Sequence, residues 1–352
     1  MWKKIAARVL IVLGFLSLIV FKDAVRDGVW EGLSISFRVL IPSLFCFSVL
    51  VNFLLRIGAF RNPGKGFDRL AGKLFHVSGA AVIPVLAGLL GGFPLGAGVL
   101  SQMLRDGSIS KQEAYAVSAL CNQAGPAFVI GALGSVLGSP LLGLLLFLIH
   151  LVSVFLTALL LRPETRAPVS VRRKQSEPLP APQAFTEAVR DSAFAMVQLT
   201  GFVVFFTAWQ SLICQAVPPD RLPDSLVGLL QGTLELSSGA ARFTGITASR
   251  AFLPLAFLIG WGGVCVHLQA ASFMLPAGIP MRRYLLGKTL QGFLCAALAS
   301  FAQLFLFPDR KDPLIAALFC PALLLAGIFL FRLKKNSGKK QKICYNREKS
   351  TV

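Results

Sequence analysis

Long unbroken runs of apolar residues dominate this chain. They are separated by short polar stretches and do not alternate with polar positions. Several runs reach the roughly 18 to 20 residues that a helix needs to cross a hydrocarbon core of about 30 Å. Residues 141–161 and 285–307 are the plainest cases. Neither contains Asp or Glu, and in the second Lys288 sits near one end. Eight segments read as crossings: 5–21, 40–57, 112–133, 141–161, 193–217, 249–273, 284–307 and 314–331. The first follows Lys3 and Lys4 like a signal peptide. It has no small-x-small cleavage site and runs into Lys22 and Asp23, so it reads as an uncleaved span. Between the first two crossings, residues 22–38 mix charge with Val25, Val29, Trp30, Leu33 and Phe37, a spacing that suits an interfacial amphipathic helix.

Two apolar stretches are interrupted in the middle. Residues 77–104 are broken by Gly91-Gly92-Phe93-Pro94-Leu95-Gly96, and residues 224–247 by Glu235-Leu236-Ser237-Ser238-Gly239. Ten helical residues cover only about 15 Å, so each arm reaches mid-membrane and no further. The expectation is a pair of re-entrant hairpins, whose irregular tips survive in a membrane only where they line a cavity or are enclosed by protein. Two crossings are also interrupted, one by Asn122-Gln123-Ala124-Gly125-Pro126 and one by Gly260-Trp261-Gly262-Gly263 with His267 and Gln269 just beyond. The predicted fold is therefore an all-α polytopic membrane protein with about eight transmembrane helices plus two re-entrant hairpins in an inverted repeat. Residues 1–40 hold the first span and the interfacial helix, and 41–161 the first repeat. A basic Pro-rich cytoplasmic linker occupies 162–192 and the second repeat 193–307; a last span (308–331) and a basic cytoplasmic tail (332–352) follow.

Composition supports the membrane reading. Of 352 residues, 55% are hydrophobic and 14% charged, against about a quarter charged in soluble domains. The net charge of +19 could signal nucleic acid. The basic residues instead cluster beside the spans, in 56–73, 162–190, 282–288 and the tail. With both termini in the cytoplasm, and both hairpins returning to their side of entry, most of the 35 Lys and Arg residues lie inside, as positive-inside bias requires. Nucleic acid is excluded as a partner; the bilayer is the expected one. Seven cysteines occur singly with no CxxC pair, so neither a zinc site nor a disulfide framework is expected, and no cofactor is implied. There is no HExxH, GxSxG or P-loop, so an enzyme is not expected.

The candidate chemistry lies at the breaks. Glu235 is the one carboxylate placed in the middle of an apolar stretch, which makes it a candidate for proton or cation coupling, or for accepting a hydrogen bond from a solute. Asn122 and Gln123 are amides ahead of Pro126, whose missing N–H frees a carbonyl one turn earlier. The helix starts behind the two hairpin tips offer amide N–H groups to an anion, and Phe93 could stack on a planar one. His76 and His150 read as interfacial or packing residues.

The run GGFPLGAGVLSQMLRDGSISKQEA with SALCNQAGPAFVIGALG, followed by LLQGTLELSSGAARFTGIT with LIGWGGVCVHLQAASF, resembles the sporulation integral membrane protein family of YlbJ type, whose members carry nucleoside-recognition gate domains. More distantly, the plan is similar to concentrative nucleoside transporters. The resemblance implies transport, or support of transport, during endospore formation, with dipicolinate as the solute. A proton or sodium ion would couple the flux, and a homo-oligomer is compatible with it. The alternative is a non-transporting membrane factor for spore assembly or maturation. By motif match the site positions are Phe93, Pro94, Gly96, Asn122, Pro126, Glu235, Ser237, Gly239, Gly263, His267 and Gln269; the residues themselves add Gln123 and Ser238. The family often has Lys where this chain has Gly98, and Asn where it has Gly125.

Overall fold

The computed structural model describes residues 2–60, 64–164, 177–216 and 222–308, and every regular element among them is helical. The expected last span, the basic tail and much of the linker lie outside the described residues. In chain order the helices are α1 (Trp2–Val20), α2 (Lys22–Arg56), α3 (Lys65–Leu74), α4 (Gly79–Gly91), α5 (Leu95–Arg105), α6 (Lys111–Ser118) and α7 (Ala127–Val136). After these come α8 (Pro140–Leu160), α9 (Ala181–Ala216), α10 (Asp224–Leu234), α11 (Leu236–Ala241), α12 (Ala248–Trp261), α13 (Gly263–Met274) and α14 (Met281–Leu306).

Five helical stretches among the described residues are long and apolar enough to cross a membrane: α2, α8, α9, α12 with α13, and α14. Counting α3 and α4, bent by 85° at their junction, as one further span makes six. The surface of α8 shows why this is a membrane protein. Leu141, Leu144, Leu148, Val152 and Phe155 form an exposed stripe at helical spacing, while His150, Ser153 and Thr157 are buried on the other side. Such a helix is inverted relative to a soluble bundle, in which the leucines would be buried. This is a multi-pass membrane protein.

One expectation is corrected here. The interfacial helix over 22–38 and the span over 40–57 are one continuous helix, α2. Pro42 sits in its interior, and its ring would collide with the carbonyl four residues back. A π-helical turn at Ser36–Leu40 widens the helix just ahead of it and carries the chain through without a break. The segment 112–133, read as a crossing interrupted at residues 122–126, is found broken there: α6 and α7 flank an unwound stretch from Ala119 to Gly125.

Helices α2 and α9 run antiparallel in close contact. Gly28 and Gly32, four residues apart, face Ala208 and Val204; a Cβ on either would come within 2.7 Å of those Cα atoms. This small-xxx-small spacing is how helices approach closely where no hydrophobic effect drives them together. Farther along, Ser48 donates to Ser192 (3.1 Å), Asn52 donates to Ser192 (3.0 Å), and Arg56 pairs with Glu187 and Asp191. At both predicted tips the chain folds back on itself: α5 packs on α4, and α11 packs on α10. Replacing Gly32 with Leu is expected to overpack the α2–α9 contact and cost about 1–3 kcal/mol. A lowered thermal midpoint of the detergent-purified protein, with Arg8→Leu on exposed α1 as control, would register it.

Candidate functional site

The breaks in α4/α5, α6/α7, α10/α11 and α12/α13 meet in the interior, on both sides of Phe93. Two glycines let the backbones come together. A Cβ on Gly96 would overlap the carbonyl oxygen of Cys121, in the unwound stretch, and one on Gly239 would overlap the backbone of Gly232 in the opposite arm. These two predicted site residues therefore act as spacers. Pro94 caps the start of α5 without a side-chain hydrogen bond, and Pro126 does the same for the π turn that opens α7. Gly262 and Gly263 both have positive φ (98° and 84°), which breaks α12 from α13; Gly263 packs against the Gly232 carbonyl.

Backbone groups released by the unwound stretch are taken up by side chains, as burial requires. Lys288 Nζ donates to the Asn122 carbonyl (3.1 Å), and Gln123 Nε2 donates to the Leu120 carbonyl (2.8 Å). Lys288 also donates to Gln291 Oε1 (3.0 Å) and Gln123 Oε1 (3.4 Å), while Gln291 Nε2 donates to Gln123 Oε1 at 2.7 Å and lies 3.3 Å from His150 Nδ1. The Phe93 ring covers the ammonium, 5.5 Å from its nitrogen. The stem of Lys288 runs past Gly262, so this side chain lies beside both broken crossings. Neither Lys288 near one end of its run nor His150 as a packing residue describes what is found. Lys288 is 0% exposed, and His150 joins its cluster. The signal was present in the sequence: Tyr284, Lys288, Gln291 and Cys295 recur at helical spacing along one face of α14, which is otherwise apolar.

A second network sits beside it. Asn122 Nδ2 donates to the Tyr284 hydroxyl (3.2 Å), and His267 Nδ1 pairs with the same hydroxyl, also at 3.2 Å. The other ring nitrogen is Nε2, a donor or an acceptor according to the tautomer. That atom has no partner, and neither does Asn122 Oδ1. His267 stands edge-on to Trp261, with ring centroids 4.8 Å apart.

On the other side of Phe93 is a cavity of about 30 Å³, bounded also by Glu235, Ser237, Gln269, Gly125, Phe128 and leucines of α2 and α9. That is room for one or two waters. Gln269 Nε2 donates to Cys265 Sγ (3.3 Å), and its Oε1 is buried without a partner. Glu235 is 2% exposed and caps its own helix: Ser237 N donates to Oε1 (3.0 Å) and Ser238 N to Oε2 (2.6 Å). The amides expected to greet an anion at this tip are therefore already taken by a carboxylate of the chain itself. Gln210 of α9 clamps both arms, donating to the Gln231 carbonyl (2.8 Å) and accepting from Ser238 Oγ (2.7 Å). Gly98, at the position of the family's frequent Lys, faces Phe273 of α13; a Cβ on Gly125 would press on the Gly92 backbone, leaving little room for Asn. Among the described residues, no group of three His, Cys, Asp or Glu is placed to hold a metal ion.

The chain is 23% identical over 319 residues to the sporulation integral membrane protein YlbJ of Bacillus subtilis (strain 168), covering 80% of this chain and 78% of that one. The chain is a distant relative of the YlbJ-type proteins. No family model and no solved structure matches it. The alignment with YlbJ is long enough to include at least part of each broken region. Replacing Glu235 with Ala is expected to remove the cap of α11 and cost about 1–2 kcal/mol. Glu235→Gln keeps one acceptor and should lose less, the two being compared by thermal midpoint in detergent.

Proposed function

We propose that this protein is a transporter, not an enzyme, for a small anionic or nucleoside-like solute. Movement of dipicolinate during endospore formation is the specific case, with alternating access around a midplane site. The observation that carries the reading is the meeting of four chain breaks around Phe93, with Asn122 Oδ1, His267 Nε2 and Gln269 Oε1 buried there without partners. A purely structural core satisfies such groups or replaces them with apolar ones. Alternating access requires two halves that move against each other. The fold-backs at Phe93 and Glu235 support re-entrant hairpins; an inverted repeat of about eight spans, with both termini in the cytoplasm, completes this reading. The connection with sporulation rests on the name of the relative, YlbJ.

In this reading the partners are the solute, the bilayer and a coupling proton or sodium ion; nucleic acid has no role, and a homo-oligomer is compatible with it. Glu235 is the coupling candidate. Its two hydrogen bonds to its own helix favour a second reading, a non-transporting factor in spore assembly or maturation, in which Glu235 is only a cap.

Reconstituted into liposomes, the protein should take up dipicolinate or a nucleoside saturably. Asn122→Ala and Glu235→Gln should each reduce that flux about tenfold, roughly the effect of one lost hydrogen bond to a charged group. Equal flux in both variants would reject the site. The hairpin topology has a separate test: single cysteines introduced at Asp106 and Lys65 should react with an impermeant thiol reagent from the same side of the membrane.

A further inference from the structure

Lys288 is fully buried on a membrane-crossing helix, and no carboxylate among the described residues lies within ion-pairing distance of it. The titratable groups around it are Cys121, His150, His267 and Cys295, from α8, α13, α14 itself and the unwound stretch. None of these is a carboxylate. A buried cation without a counter-charge is costly in a membrane interior, and three neutral oxygens only partly replace its hydration. One of those three contacts is weak: Gln123 Oε1, at 3.4 Å, already accepts from Gln291 at 2.7 Å. One ammonium hydrogen is thus poorly engaged, and what covers the group is the face of Phe93, which also forms part of the cavity wall.

We infer that Lys288 is the specificity-determining residue of the site, pairing with a carboxylate of the solute once the Phe93 ring swings aside and joins the cavity to the ammonium. The inference rests on the transport reading for its site, but not for its chemistry. A carboxylate at this point would replace the weak third contact with a hydrogen bond between opposite charges, and His267 Nε2, buried without a partner, is a second polar atom nearby. A neutral carbonyl can accept from the same donors but leaves the ammonium without a counter-charge, so the site discriminates by charge. The roles of Gln123 and Gln291 follow. Their amide oxygens hold the ammonium in place without neutralising it, which a Glu at either position would do.

The test is binding to the full chain in detergent, read by Trp fluorescence, since Trp261 lies against His267. Probes are dipicolinate, its neutral diamide and uridine. Wild type should bind dipicolinate at least about tenfold more tightly than the diamide. Lys288→Gln should lose that preference and Lys288→Arg should retain most of it. Gln291→Glu, which keeps the lysine but places a carboxylate beside it, should abolish dipicolinate binding while its elution on gel filtration stays that of wild type; it carries the test if Lys288→Gln does not fold. Absence of dipicolinate binding to wild type, equal affinity for the diamide, or wild-type binding by Gln291→Glu would each overturn the inference. Transport fails separately: Lys288-dependent binding without liposome flux would sink the transport reading alone, and uridine flux without dipicolinate binding would sink this inference alone.

Discussion

Unwinding a helix inside a membrane leaves carbonyls that no water can reach, and each costs several kcal/mol unless another group takes it up. Between Ala119 and Pro126 this protein meets that demand with side chains, chiefly the Lys288 ammonium on the Asn122 carbonyl and the Gln123 amide on the Leu120 carbonyl. The rest of the centre depends on this exchange. An irregular strand of chain can lie in the middle of the protein because α14 supplies a donor long enough to reach it.

Close backbone contact is the second half of the design. At Gly96 and Gly239 the chain approaches another backbone so nearly that any side chain would collide. Along α2 and α9, Gly28 and Gly32 do the same for two long helices. In lipid, packing of this kind does what apolar burial does in water, and it is why residues that look like ligand contacts in a motif turn out to be spacers.

Much of the fold was legible from apolar run length, because the membrane fixes how long a helix must be. The runs at 141–161 and 284–307 become α8 and α14 to within a few residues, and the Gly/Pro breakers mark the places where the chain reverses. Continuity through Pro42 was not legible, because a π turn that absorbs a proline leaves no compositional trace. Glu235, Asn122, Gln123, His267 and Gln269 were all found from polarity within apolar surroundings. Lys288 and His150 were missed because each was judged by its position along a run, whereas the face it shares with Tyr284 and Gln291, or with Ser153, is what decides its environment.

Helix α9 has a consequence for how the molecule could be handled from outside. Its 36 residues amount to about 54 Å, well beyond the roughly 30 Å of hydrocarbon. At the tilts of up to about 40° usual for membrane helices, a turn or more of this rod stands in water or headgroups, at the charged end where Glu187 and Asp191 grip Arg56. The same rod holds Gln210, which clasps both arms of the second hairpin. One rod thus joins the Arg56 clamp at one end to a hairpin whose Glu235 and Ser237 line the cavity at the other.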